Sequence, residues 1–160
     1  MTRYTHHVGS DADTIEMAHT VRRRVFVEEQ GVDEGVEIDG RDEEATHVVF
    51  SENGEPVATA RVRFPDPSTA KIERVAVLPA SRNQGLGIRV MAAAESAAID
   101  GDATVAVLHA QLDVREFYER LGYDSVGEQF EEAGIPHVEM RKPLDERLTA
   151  DEDVEENDRQ

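Results

Sequence analysis

The run IERVAVLPASRNQGLGIRVMAAAESAA, from Ile72 to Ala98, decides how the rest of the chain is read. Its first part, Ile72 to Leu78, has the short apolar pattern of a strand. Pro79 opens a turn-rich loop, and a helix begins near the glycines. Within the loop, Arg82-Asn83-Gln84-Gly85-Leu86-Gly87 forms an Arg-x-x-Gly-x-Gly pattern. Glycines just ahead of a helix let the backbone come close to a ligand and leave N–H groups unpaired. Those donors, with the positive end of the helix dipole, suit a phosphate. The same glycines also suit a plain strand–loop–helix corner, so the loop alone leaves both readings open.

Two better-known phosphate loops are excluded. A nucleoside-triphosphate loop needs Lys and then Ser or Thr after its last glycine, and neither Gly85 nor Gly87 is followed by Lys. The dinucleotide fingerprint needs a third small residue, but Gly85-Leu86-Gly87-Ile88-Arg89 runs on into Val90.

Composition narrows the partners. A chain of 160 residues is one domain by length, with enough residues for a single core. Acidic residues number 35 against 17 basic, a net charge of −18, which repels nucleic acid. The absence of cysteine excludes disulfides, a cysteine zinc site and a cysteine acyl-enzyme. The N-terminus shows neither a basic leader nor an apolar core, and no apolar run approaches membrane-spanning length. A cytoplasmic protein with no membrane partner is expected.

Taken in order, Tyr4 to Val8 has a weak strand pattern, and Ser10, Asp11 and Asp13 offer caps to a helix over Thr14–Glu29. Arg22, Arg23 and Arg24 form a basic cluster there, read either as a solvated helix face or as an anion contact at a substrate mouth. Gln30 to Glu44 carries three glycines and seven acids without a period, and is expected to be a long loop. Thr46–Phe50 and Val57–Phe64 read as strands joined at Asn53-Gly54, the second of them half-buried by its alternation. Leu86, Val90, Met91, Ala94, Ala97 and Ala98 line one face of the helix that ends near Gly101. A buried strand over Thr104–Leu108 follows, then a short helix, Val114–Leu121, capped by Asp113 and ended by Gly122. Tyr123–Val126 and His137–Arg141 complete the strands. The body is expected to span residues 1–143, and the acidic tail 144–160 to be disordered. The order predicts an α+β, or mixed α/β, single domain around one twisted sheet.

This order, with three sequence segments, resembles the GCN5-related N-acetyltransferase (GNAT) superfamily from about Thr2 to Pro143. The first segment is the strand–loop–helix. The second runs from Ala110-Gln111-Leu112 to Phe117-Tyr118-Glu119-Arg120-Leu121-Gly122-Tyr123, similar to the family's FYxxxGF segment. The third, Phe26-Val27-Glu28-Glu29-Gln30-Gly31-Val32 with His47 and Gly134-Ile135-Pro136-His137, looks like the ElaA/YjcF-type subgroup. The resemblance implies a mostly antiparallel sheet flanked by helices, with a splayed parallel strand pair at its centre. It also implies an acetyl-CoA-dependent N-acetyltransferase, with acetyl-CoA as co-substrate and no metal. The acceptor would be a small-molecule or peptide amine, acylated by direct attack in a ternary complex. Transfer of another acyl group and a non-catalytic CoA-sensing domain are the alternatives. The oligomeric state is left open, a homodimer included.

By that resemblance the amides of Gln84, Gly85, Leu86 and Gly87, with Asn83 and Arg82, hold the CoA pyrophosphate. The backbone of Ala76 and Val77 lies along the pantetheine arm, with an N–H near Val77 facing the thioester oxygen. Gln111 stands near where many relatives carry a cofactor-contacting Asn. Tyr118 is the candidate acid, because a phenol of pKa about 10 can protonate a departing thiolate. Glu73 is the candidate base acting through water, on the expectation of a mainly apolar site that raises its pKa. His47 and His109 are its rivals. Acids of the loop at Asp33, Glu34, Glu37, Asp39 and Asp42 either attract a cationic amine or reflect the acidity of the whole chain.

An acidic, lysine-poor chain of this kind looks like proteins from salt-saturated cytoplasm, where self-repulsion at −18 is screened. A halophilic protein is therefore expected. Its melting temperature should rise from low to molar KCl; a flat or falling trend in thermal denaturation would contradict the idea.

Overall fold

The computed structural model describes residues 4–144, so the expectation for the acidic tail lies outside the described residues. Seven strands form one sheet in the order β1-β2-β3-β4-β5-β7-β6. They are β1 (Tyr4–Gly9), β2 (Thr46–Glu52), β3 (Glu55–Asp66), β4 (Thr69–Val77), β5 (Val105–Gln111), β6 (Asp124–Glu132) and β7 (Ile135–Pro143). The pair β4–β5 is parallel and every other neighbouring pair is antiparallel. Helices α1 (Ala12–Arg22), α2 (Glu34–Glu37), α3 (Leu86–Asp100) and α4 (Arg115–Arg120) connect them. Apart from α2, which falls in the stretch expected to be a loop, the predicted order of elements is the observed one, and the fold is the expected mixed α/β domain.

Local chemistry accounts for the joints. Asn53 and Gly54 both adopt positive φ (53° and 89°), as a tight hairpin between β2 and β3 demands. Asp11 caps α1 by accepting a hydrogen bond from the Thr14 amide at 3.2 Å. Asp113 does not cap α4: Leu112–Val114 forms a 3-10 turn, and the residue preceding α4 is Val114, with no side-chain cap. Gly122 ends that helix at φ 101°.

The main core lies between the sheet and α3. Leu86, Val90, Met91, Ala94 and Ala98 pack on Val48, Ala60, Val62 and Ile72. Small alanines let α3 lie close, and burying such aliphatic side chains contributes about 25 cal/mol per Å² of apolar surface. The opposite face of β1 to β4 is covered by α1, so β3 is buried on both sides. This corrects the half-buried reading of β3, whose polar set includes Thr59 and Arg61.

That face holds an ionic network. Arg22 and Arg61 are both fully buried. Arg22 donates from Nε to Glu37 Oε2 at 2.8 Å and from Nη1 to Asp42 Oδ1 at 2.7 Å. Arg61 donates to Asp39 at 2.8 and 2.9 Å, to Asp42 at 3.0 Å, and to Glu73. Arg22 is therefore neither a solvated nor a ligand-facing arginine, whereas exposed Arg23 pairs with Glu34 at 3.0 Å. The stretch 30–44 is not structureless: α2 and a 3-10 turn at Asp42–Glu44 turn Glu37 and Asp42 inward.

Burial alone would raise the pKa values of Asp39, Asp42 and Glu73, but their arginine partners outweigh it and hold all three below the ordinary carboxylate range. A lowered folded pKa gives stability that is complete above the unfolded value and lost as pH falls. Stability should therefore be full above about pH 5 and decline as pH drops through about 4. Arg61→Met should cost about 3–5 kcal/mol at neutral pH, because it strands buried carboxylates. It should also flatten the acid decline; chemical denaturation across pH measures both.

Candidate active site

The site is built where β4 and β5 part. Their parallel pairing is confined to Thr69–Lys71 against Val105–Val107. Beyond it, β4 carries a bulge: the step from Thr59 to Arg61 on β3 spans Ala76 to Glu73 on β4. Arg74 occupies this bulge at φ 55°, a left-handed conformation that costs a bulky residue roughly 1–3 kcal/mol. It is held by its Nη2, which donates to the Glu37 carbonyl at 3.0 Å, and by Nε beside Glu37 Oε2 at 2.9 Å. A bulge bends and twists its strand, and here it turns β4 away from β5.

The loop after β4 faces this opening. Gly85 precedes α3 at φ 81°, where a side chain would be strained, and no side chain caps the helix. The first-turn amides of Leu86, Gly87 and Ile88 lack intrahelical partners by helix geometry. That turn carries no acid, although the chain has 35. A Cβ on Gly87 would come within 3.1 Å of the Phe117 ring, so glycine there lets α4 pack against the loop. Asn83 adopts φ 66°. Gln84 accepts a hydrogen bond from the Tyr4 hydroxyl at 2.6 Å through Oε1.

Both sides of the opening are tied to one segment. The helix α1 continues as a π-helical turn over Arg23–Glu29, where the sequence suggests uninterrupted α-helix. Its end brings Glu29 against Arg82 in a two-pronged pair at 2.7 and 2.9 Å. Arg82 also donates from Nε to the Val77 carbonyl at 2.9 Å. The next residue, Gln30, accepts from Gln111 Nε2 at 3.0 Å. Arg82 and Val77 thus meet the β4 side, and Gln111 the β5 side, of one gap. Ala76 is buried beneath it with Val21 and Val25. Hydrogen bonding by Arg82 holds the Glu29 carboxyl below its usual range. Glu29 and Gln30 border this gap, and sequence reasoning did not single them out as candidate site residues. The only signal was the acid within Glu28-Glu29-Gln30, which spacing could not link to Arg82.

Tyr118 packs with the α3-side core, its ring edge-on to Phe117 at 5.0 Å and to Tyr123 at 6.0 Å. Burial alone raises its pKa, so the phenol stays protonated at neutral pH. Tyr123 is engaged elsewhere: its hydroxyl donates to Glu95 at 2.8 Å.

Glu73 lies on the other face. Its surroundings are cationic rather than apolar: Arg63 donates to it at 2.8 Å, Arg61 donates to its other oxygen, and Lys71 lies at 3.9 Å. The expected rise in its pKa is reversed, because Arg63 and Arg61 outweigh burial. Of its rivals, His47 is fully buried, with Nε2 against the Asp42 carbonyl at 2.8 Å, and desolvation lowers its pKa. It belongs to the ionic network beneath α1. His109 is 22% exposed. Among the described residues, no cluster of three or more His, Cys, Asp or Glu has metal-binding geometry.

Sequence and structure comparisons agree on the class this fold and gap define. Residues 13–144 match the acetyltransferase (GNAT) domain family, and the chain belongs to that family of acyltransferases. Within it, the chain is 38% identical over 136 residues to the uncharacterised N-acetyltransferase YjcF of Bacillus subtilis (strain 168), covering 84% of this chain and 96% of that one. The crystal structure of Escherichia coli ElaA superposes with a TM-score of 0.76 at 27% identity, over 89% of this chain and 99% of its own. An acyl-CoA N-acyltransferase from Pseudomonas aeruginosa gives the same TM-score at 30% identity and the same coverage. The ElaA/YjcF-like grouping read from the sequence is thereby supported.

Proposed function

We propose that this protein transfers an acetyl group from acetyl-CoA to a primary amine, by direct attack within a ternary complex. The observation that carries the proposal is the uncapped, acid-free first turn of α3 beside the gap between β4 and β5. In a chain of net charge −18 an acid-free helix N-terminus suits an anion, and the CoA pyrophosphate is the anion the family uses. Gln84, Gly85, Leu86 and Gly87 would supply amides to it. Arg82 would add charge by exchanging Glu29 for phosphate, with Asn83 shaping the turn. The pantetheine arm would enter the gap along Ala76 and Val77, with Gln111 on its far side.

Acyl transfer then needs a proton for the leaving thiolate. A phenol protonated at neutral pH suits that task, and Tyr118 sits against the core of α3 with no charged neighbour shifting it. Glu73, fixed as an anion by two arginines, has the character of a charge anchor on the acceptor side more than of a strong base.

Calorimetry with acetyl-CoA should give a single site, and a free-thiol release assay over an amine panel in molar KCl should give turnover with at least one amine. Absence of binding defeats the proposal; binding without turnover favours a CoA-sensing domain. Tyr118→Phe should lower kcat by about 10²-fold while leaving acetyl-CoA affinity within about twofold, as expected for a residue acting only in the chemical step.

A further inference from the structure

The face that carries Glu73 continues, beyond the cover of α1, onto β5, β7 and β6. Lys71 pairs with Val107 in the parallel register. Two residues further along each strand, Glu73 and His109 project from that same face on either side of the opening. His109 is also directly opposite Glu139 of β7. Its Nδ1 lies 2.8 Å from Glu132 Oε1, at the end of β6. An ionised carboxylate only accepts, so Nδ1 carries the hydrogen and, in the neutral ring, Nε2 keeps its lone pair. Nε2 faces Glu139 Oε1 at 3.8 Å, while Arg141 holds the other oxygen of Glu139 at 2.9 Å. Phe130 stands edge-on to His109 at 5.0 Å and stacks on His137 at 6.1 Å, which walls one side of the imidazole.

We infer that His109, oriented by Glu132, is the catalytic proton acceptor, and that the acceptor is a cationic primary amine seated between His109 Nε2 and Glu139. The inference rests on the acyl-transfer reading above. The 3.8 Å separation leaves an ammonium able to donate one N–H to each group. One proton passes from the ammonium to Nε2. The freed lone pair forms the N–C bond to the thioester carbonyl, and the C–S bond breaks. The second proton lost by nitrogen balances the one that ends on the CoA sulfur, relayed through Tyr118, which donates its phenol proton and regains one. His109 returns its proton to water, leaving amide, free thiol and one released proton. Glu73 is held as an anion by two arginines, which weakens it as a base, whereas His109 is partly exposed on the same face.

Titratable and charged groups around the ring are Glu132 on β6, Glu139, His137 and Arg141 on β7, and Lys71 and Glu73 on β4. Hydrogen bonding by His109 holds the Glu132 carboxyl below its ordinary range, and Glu132→Gln removes that charge from beside the ring.

The test compares wild type, His109→Gln and Glu132→Gln in the thiol-release assay with the best amine of the panel, alongside melting temperature and acetyl-CoA calorimetry. His109→Gln should lower kcat/KM by about 10²–10⁴-fold and abolish the acid limb of its pH profile, with acetyl-CoA affinity unchanged. Glu132→Gln, which keeps a hydrogen-bond acceptor, should retain more activity and move that acid limb to lower pH. A merely structural role would move melting temperature and leave the limb in place. An acid limb unmoved in both variants, with wild-type turnover present, overturns the role of His109 alone. Wild-type protein with no turnover on any amine overturns the acyl-transfer reading and this inference with it.

Discussion

The guanidinium of Arg61, sealed under α1, and the carboxylates of Asp39, Asp42 and Glu73 around it fix the segment between α1 and β2 to the sheet. Desolvating such charges costs several kcal/mol per ion, and the cost is offset only when their hydrogen bonds are completed. The segment between α1 and β2 supplies Asp39 and Asp42, so lifting it from the sheet would strand an arginine in an apolar layer. Arg22 repeats the arrangement one layer out, through Glu37 and Asp42. An acidic loop that composition marks as solvated is thus pinned at several points. Buried pairs are screened little by salt. Molar KCl should therefore relieve the exterior repulsion while leaving this network intact.

The same network feeds the gap. Glu37 accepts from Arg22 through its carboxylate and from Arg74 through its backbone carbonyl, and Arg74 Nε is ion-paired with the same carboxylate, so the strained bulge in β4 is anchored to α1 through one residue. The bulge lies just beyond the last residues paired with β5, and Glu73 and His109 sit on one face of the sheet, on either side of the opening. Tyr118 packs into the α3-side core of the same sheet. In the proposed mechanism the proton donor and the proton acceptor would therefore approach the thioester from opposite faces of one sheet.

Much of the fold was legible from periodicity and punctuation. The run Ile72–Ala98 reads correctly because strand, glycine loop and alanine-rich helix each obey local rules. The Asn53-Gly54 hairpin reads for the same reason. What local pattern could not supply was which side of β3 a second helix covers. Arg61 therefore looked half-exposed and Glu73 looked apolar in its surroundings. The pairing of Arg82 with Glu29 joins residues 53 apart in sequence, and the π-helical turn that delivers Glu29 has no distinct residue signature. The loop glycines were read from the chemistry of a helix N-terminus and Tyr118 from family pattern; the surroundings of His109 emerged only when β6 and β7 were laid beside β5.

The tie from Glu29 and Gln30 to Arg82 and Gln111 has a thermodynamic consequence for traffic through the gap. An anion that captures Arg82 must evict a carboxylate already holding it with two hydrogen bonds. The eviction loosens the segment whose next residue grips the far strand. On the proposed function, donor affinity and the openness of the acceptor mouth would be one linked equilibrium, and linkage is reciprocal. Under the proposed acyl transfer, such a latch would favour a compulsory order, with the nucleotide thioester entering first and the amine admitted to a mouth that the first ligand has unfastened.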